Sequence, residues 1–458
     1  MSARELVAIL WGVEAGRVRQ DGRGRQAFAY DAGWRGRDDA VPLSLSLPLA
    51  AVDHGHGATE AFLWGLLPDN ELVLERWGRR FHASPRSPFA LLAHVGEDCA
   101  GAVQFAAPER AAALLGPGRM EVAWIEEREI AARLRALRED HAAWRAARDT
   151  GQFSLGGSQP KTALLLHDGR WGVPAGRTPT THILKPPLPG LAGHVENEHL
   201  CLVLAREAGL AAATSEVRRF AGEIAIVVER YDRMRGKETS SPKSAGVPSI
   251  LRVHQEDACQ SLGIRPALKY QNDGGPSPAV IVELLRAHSS NVPEDIDAFV
   301  DALAFSWLTA GTDAHAKNFS ILHGAGGRVR LAPLYDLASA LPYPDFDQRQ
   351  LRLAMKIGGE YRLARIGRRQ WTALARELRL DPAGTVASVA ALAARIITAL
   401  PTVREQAAAD RLEPRAVSAL LGPLKSRLEE CRKELRGRGA ASRKSKRSCG
   451  RSRSLPGR

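Results

Sequence analysis

Three side chains set the chemistry open to this chain. In the stretch TDAHAKNFSILHGAGGRVRLAPLYDLA, residues 312–338, Asp313 is followed five residues later by Asn318, and Asp336 lies eighteen residues beyond the Asn. A carboxylate within hydrogen-bond reach of a hydroxyl can take its proton as a phosphoryl group is transferred to it. Mg²⁺ needs hard oxygen ligands and takes only one or two from protein, with phosphates and water supplying the rest. One Asp as base, with an Asn and a second Asp as metal ligands, is equipment for metal-assisted phosphoryl transfer to a hydroxyl. Asp313, Asn318 and Asp336 fit those roles in that order. An ordinary helix end and turn also carry Asn and Asp for conformational reasons, so spacing alone leaves both readings open.

The surrounding elements have to bring these groups together. Two apolar runs, 319–322 and 329–334, flank HGAGGR and predict a hairpin. A catalytic loop, then a hairpin, then a carboxylate is the order found in protein kinases. Upstream, SLGGSQPK offers small residues at Ser154, Gly156, Gly157 and Ser158, which let backbone N–H groups approach phosphate oxygens. A strand at 162–166, a His167-Asp168-Gly169 turn and a return strand follow. A third strand, THILK, ends in Lys185, placed like the kinase lysine that reaches the α- and β-phosphates. A plain hairpin explains this stretch as well, and the GxxxxGK[ST] spacing is absent. ENEHLCLVLAREAGL, 196–210, predicts a helix with Leu200, Val203 and Leu204 on its apolar face and Gly209 as its stop. Glu198 either pairs with Lys185 or simply suits the positive end of that helix. IAIVVERYDR, 224–233, reads as a buried strand running into a polar segment, the hinge position of a kinase. Glu229, Arg230 and Tyr231 are there the candidates to meet adenine.

With 458 residues the chain should hold two or three domains. Its 44% hydrophobic content is that of a soluble globular protein. No run approaches the roughly 18 apolar residues of a membrane span, and MSARELVAILWG lacks the features of a secretory signal. Five scattered cysteines with no CxxC predict neither a disulfide framework nor a zinc site, and the expected setting is a reducing cytoplasm. The net charge of +13 is uneven: 436–458 carries nine Arg/Lys and no acid, leaving +4 on 1–435. That tail should be disordered; it either binds nucleic acid through its phosphates or is a solvated appendage. The expected units are 1–110, a small α/β module; 111–250, an ATP-binding lobe with the Gly-rich loop; 251–435, a helical lobe with the catalytic loop; and 436–458, the basic tail. Residues 111–150 read as a helical connector, 235–249 as a polar surface loop, and HQEDACQSLGI from 254 as helical.

The motifs SLPL, LLPDN, SLGGSQPKTALL, THILKP, ENEHLCLVLAREAGL, VVERYDR, HQEDACQSLGI, KYQNDGGPS, TDAHAKNFS, LYDLASA and LAMKIGG run in that order from residue 1 to about 430. In this the chain resembles the HipA family, the serine/threonine-kinase toxins of HipBA-type toxin–antitoxin systems. The resemblance implies an α+β, two-lobed fold like those of protein and phosphoinositide kinases, with an extra N-terminal α/β subdomain and an all-helical C-terminal lobe. It implies ATP and Mg²⁺, with Asp313 catalytic and Asn318 and Asp336 holding the metal. Gly156, Gly157, Ser158, Gln159 and Pro160 would cover the phosphates, with Lys185, His315, Lys317 and Tyr335 beside them and Glu229, Arg230 and Tyr231 at the adenine. Ser154 matches the family's autophosphorylated serine, although Ser158 is a second hydroxyl on the same loop. The implied partners are a small helix-turn-helix antitoxin, operator DNA through it, and a protein substrate; aminoacyl-tRNA synthetases are known targets in the family. A second expected role is that of an ATP-binding corepressor in an antitoxin–DNA complex.

Overall fold

A computed structural model describes residues 5–116, 121–144, 153–235 and 250–436. The basic tail beyond Arg436, with Cys449, and nearly all of the polar loop expected at 235–249 lie outside the described residues.

The chain is α+β and two-lobed. Strands β1 (Glu5–Leu10), β2 (Val13–Gln20), β3 (Gln26–Tyr30), β4 (Asp53–His54) and β5 (Val103–Ala106) make an antiparallel sheet in the order β4-β3-β2-β1-β5. β2, VEAGRVRQ, has little apolar content for a strand. It is a strand because Ala15 and Val18 face the core, while Arg17 and Arg19 pair with Glu5 on the neighbouring strand at 2.9 and 2.7 Å. Helices His56–Gly65, Glu71–Phe81 and Pro88–Val95 pack around a core containing Phe28, Trp34, Phe62, Trp77 and Phe89. The first of these helices ends in the turn LLPDN. Its Asn70 caps the next helix by accepting from Leu72 N and Val73 N.

Strands β6 (Glu121–Ile125), β7 (Thr162–His167), β8 (Arg170–Ala175), β9 (His182–Lys185), β10 (Ser215–Phe220) and β11 (Glu223–Glu229) form a second sheet, ordered β10-β11-β9-β7-β8-β6. Here β6 interrupts the expected helical connector at 111–150, after helix Pro108–Leu114. The next helix begins only at Glu127, where a Glu126/Glu129 capping box sets it. Helix His194–Glu207 crosses this sheet and stops as predicted: Gly209 takes φ +85° and Leu210 N donates to Ala205 O at 2.9 Å. It has no exposed face over most of its length, since the sheet covers one side and the C-terminal helices the other. Glu196, Asn197, Glu198 and His199 are therefore buried with the expected apolar residues.

The C-terminal half is helical in bulk, around Phe299, Phe305, Trp307 and Trp371. It departs from all-helical in carrying β14 (His254–Asp257), β15 (Ser320–Gly324) and β16 (Arg328–Leu331) as a three-stranded sheet; between the two sheets, β12 (Arg233–Arg235) pairs with β13 (Ile250–Arg252). The expected hairpin is β15–β16. The expected helix over HQED is instead β14, with true helix confined to Ala258–Ser261. Each polar residue of β14 is buried against a specific partner: His254 with Leu43 O, Gln255 with Asp232, Glu256 with Ser44 and His323, Asp257 with Lys317. One helix, Pro382–Ala409, proves long and apolar enough by length and composition to cross a membrane, where the sequence reading expected none. It packs on His194–Glu207 and Val292–Thr309, burying Val389, Leu392 and Ile396 in the core.

Where the lobes meet, Asp98 and Asp232 are buried with Arg230, Arg233 and Arg252. Arg230 Nη2 lies 2.8 Å from Asp232 Oδ2, and Arg233 Nη2 lies 2.9 Å from Asp98 Oδ1. Arg252 also pairs with Asp98. Burial would raise the Asp232 carboxyl, but the Arg230 and Arg233 guanidinium groups outweigh it and hold it down at about 2.

Candidate active site

Helix Val292–Thr309 delivers the chain into the loop that carries Asp313, breaking at Ala310 with φ 58°. The loop is fixed by its own backbone: His315 N donates to Asp313 O at 2.8 Å and Asn318 Nδ2 to the same carbonyl at 2.8 Å. From Asn318 the hairpin β15–β16 runs out and back to Leu334 and Tyr335, whose hydroxyl donates to Lys317 O at 2.6 Å. Asp336 follows with φ 57°, a left-handed conformation that Asp tolerates better than most residues.

From the other lobe, Lys185 at the end of β9 places Nζ 2.7 Å from Glu198 Oε1 and 2.8 Å from Asp336 Oδ1. Burial would strip the proton from Lys185, but Asp336 and Glu198 outweigh it and raise its pKa. Asp336 is held well below the usual carboxylate range, because Lys185 and Lys161 overcome the cost of burial. Glu198 is pushed up by burial, against the pull of Lys185.

These groups line one cavity of about 530 Å³, within the range of small-molecule sites. Asp313, Asn318, Asp336, Tyr335, His315, Lys317, Lys185 and residues 229–231 all reach its wall, as do Gly156, Gly157, Ser158, Gln159 and Pro160. Ile183, Ala213, Val228 and Leu337 give it an apolar part beside Glu229. Glu198 Oε2, His315 Nδ1 and Gln159 Nε2 are buried on this wall with no hydrogen-bond partner. Buried polar atoms are nearly always satisfied, so a polar ligand such as a nucleotide fits here. Asn318 and Asp336 supply an amide and a carboxylate oxygen, a set suited to Mg²⁺ that draws its remaining ligands from phosphate and water. Among the described residues no three His, Cys, Asp or Glu side chains gather to hold a metal by themselves.

The side chains of three expected residues are engaged within the protein. The Arg230 guanidinium is committed to Asp232, Thr180 Oγ1 and Cys99 O, so only its backbone is open to a base. Even there, Glu229 N donates to Thr214 O and Arg230 N to Thr181 O, both at 2.9 Å. Lys317 Nζ is bound by Asp257 Oδ2 at 2.8 Å and faces Gly65 O at 3.3 Å, so its charge is already answered within the protein. Ser154 is fully buried off the cavity wall, its hydroxyl donating to Leu66 O at 2.7 Å, whereas Ser158 is exposed on the wall.

The sequence reading missed Lys161 and Tyr270. Lys161 Nζ donates to Gly156 O at 2.8 Å and lies 4.9 Å from the Trp144 ring centroid. Burial and the nearby Lys185 lower its pKa to about 8. Its position directly after the Gly-rich turn was the available signal. Tyr270 OH donates to Asp313 Oδ1 at 2.6 Å; the only hint was an aromatic residue in KYQNDGG, and no spacing rule ties that to residue 313.

Residues 153–403 match the model of the HipA-like C-terminal domain and residues 6–106 that of the HipA N-terminal domain. The protein named "Putative kinase Y4mE" from Sinorhizobium fredii is 36% identical over 378 residues, 82% of this chain and 86% of that protein. The serine/threonine-protein kinase toxin HipA of Shewanella oneidensis is 29% identical over 350 residues, 73% of this chain and 74% of that one. The structure of S. oneidensis HipA with HipB and its operator DNA matches with a TM-score of 0.79 at 26% identity, covering 94% of this chain and 98% of that one.

Proposed function

The chain belongs to the HipA family of serine/threonine-protein kinases, and we propose that it is the toxin of a toxin–antitoxin pair, transferring the γ-phosphoryl of ATP to a protein hydroxyl. The observation that carries the proposal is Lys185 held between Glu198 and Asp336 on the cavity that Asp313 and Asn318 also line. Such chemistry is mostly positioning and charge stabilisation. Asp313, exposed at the cavity, accepts the proton of the incoming hydroxyl. Lys185 holds the α- and β-phosphates, and Asn318 and Asp336 hold Mg²⁺. Mg²⁺ held there would supply neutralisation of phosphate charge. Tyr231 and its neighbours take the adenine against Ile183 and Val228, and residues 156–160 close over the phosphates.

The proposed partner is a small helix-turn-helix antitoxin of the HipB kind, with operator DNA reached through it, in a cytoplasmic setting. The S. oneidensis HipA complex supports this, and with it a corepressor role alongside catalysis. An aminoacyl-tRNA synthetase is the first substrate to test, and Ser154 the proposed site of self-phosphorylation. The deciding experiment is phosphoryl transfer from γ-labelled ATP by wild type and Asp313→Ala. Loss of transfer with an unchanged circular dichroism spectrum supports the assignment; undiminished transfer by the variant refutes it.

A further inference from the structure

Asp69, in the turn LLPDN of the N-terminal subdomain, touches both the Gly-rich loop and the segment beside Asp313. Its backbone N–H donates to Gly157 O at 3.0 Å, fastening the Gly-rich loop. Its carboxylate is buried, with Oδ2 accepting from Lys269 Nζ at 2.8 Å and Oδ1 3.8 Å from Lys317 Nζ. Lys269 in turn accepts Ala316 N at its carbonyl, 3.2 Å away, in the loop that bears Asp313. The next residue, Tyr270, donates to Asp313 Oδ1. Burial works against the Asp69 charge, but Lys317 and Lys269 outweigh it and keep the carboxyl below its ordinary value. The ion pair with Lys269 is therefore present at neutral pH, and because both side chains are largely shielded from water it is screened weakly.

We propose that Asp69 is a positioning residue: it anchors the 269–270 segment that sets Asp313, from the same turn that fastens the nucleotide loop at Gly157. This rests on the kinase reading above. A subdomain with no catalytic group of its own thereby becomes part of the catalytic apparatus. Phosphoryl transfer needs both the loop over the phosphates and the base in register, and a shared post gives them one geometric reference.

The test uses the full chain. Asp69→Asn keeps the N–H to Gly157 but removes the charge that holds Lys269; Lys269→Met removes the other side of the same link. Each variant should lower the rate of self-phosphorylation at saturating ATP by at least about tenfold, since small misplacements of a reacting group cost this much or more. The KM for ATP should stay within about threefold, because the loop contact survives. The double variant should be no slower than either single one, as expected when both changes cut one connection. In parallel, amide exchange of residues 312–319 should quicken about tenfold in both variants, Ala316 N–H having lost its fixed acceptor. Multiplying losses in the double variant, or unchanged exchange in residues 312–319, would overturn the inference. If the wild type itself transfers no phosphate, the kinase reading fails, and the exchange measurement still decides whether Asp69 sets the 312–319 loop.

Discussion

Tyr270 donates its phenolic proton to Asp313 Oδ1 at 2.6 Å. The proposed base is thus held by one hydrogen bond before any acceptor arrives, leaving its second oxygen for the substrate hydroxyl. Tyr270→Phe should lower the rate of transfer about tenfold, the scale of losing one orienting contact at a general base. The KM for ATP should not change. A variant as fast as wild type at saturating ATP would show that the contact does not orient the base.

Lys185→Met leaves Glu198 and Asp336 facing each other with no cation in contact, only the nearby charge of Lys161. Breaking a buried pair costs ~3–5 kcal/mol, and the lower end applies because Asp336 is partly exposed, its side chain retaining 38% of its accessible surface. Glu198 is already raised above 4.5 by burial. A raised carboxyl binds more protons in the folded state, so its contribution to stability falls as pH rises past 4.5. In the variant this dependence should steepen: thermal unfolding at pH 8 should show a larger loss against wild type than at pH 5. Equal losses at both would mean the two carboxylates are not uncompensated.

Lys161 should make nucleotide affinity pH-dependent. Its pKa of about 8, against an ordinary 10.5, means that burying the charge costs stability below pH 8, recovered as pH rises from 8 to 10.5. For an anionic nucleotide the sign reverses, because the ammonium is what attracts phosphate. Calorimetric ATP affinity should begin to fall as pH approaches about 8 and continue to fall above it. Lys161→Met should bind more weakly and lose this dependence; a variant with the same fall above pH 8 places the titrating group elsewhere.

Incubation with Mg²⁺ and ATP should leave one main phosphate, on Ser154. With its hydroxyl buried against Leu66 O, modification has to be preceded by departure of the loop. Phosphoserine adds nearly two negative charges, which cannot return to a site beside a carbonyl oxygen. The modified protein should therefore bind ATP more weakly. Peptide mass mapping that finds phosphate only on the exposed Ser158 would move the device to that residue.

The tail beyond Arg436 is tested by removing it. If it contacts DNA, loss of its positive charges should weaken binding of the antitoxin complex to operator DNA and flatten the salt dependence. Unchanged binding across a salt series makes it a solvated appendage.

Much of the candidate site was legible because it is local. The Asp313–Asn318–Asp336 spacing, the hairpin between them and the Lys185 strand each depend on neighbours in sequence, and the turn and strand signals express that directly. What could not be read is held by contacts between segments that are not neighbours in sequence, 43 residues apart for Tyr270 with Asp313 and 200 for Asp69 with Lys269. Arg230 reads as a hinge residue that offers its backbone, and nothing in the sequence shows that its guanidinium belongs to Asp232 and to Cys99 O, the latter 131 residues away. Strand β14 looked helical because its four polar residues gave no alternation, and each is buried only by virtue of a distant partner. Tyr270 and Asp69 sit in the motifs KYQNDGGPS and LLPDN, but nothing there assigns either a partner; folding alone puts them beside Asp313 and Gly157.

The five-charge junction at Asp98 has a consequence for how the molecule breathes. Arg230 and Arg233 lie on the stretch that joins the two lobes, and both donate to Cys99 O in the N-terminal subdomain. Swinging the N-terminal subdomain away from this stretch would pull the Arg230, Arg233 and Arg252 guanidinium groups off buried Asp98, at a cost of several kcal/mol for each uncovered charge. The Gly-rich loop is fastened far more lightly, by neutral hydrogen bonds from Ser154 and Asp69. If ATP enters the cavity, the Gly-rich loop would therefore give way before the junction does, and what holds that loop lies in the N-terminal subdomain.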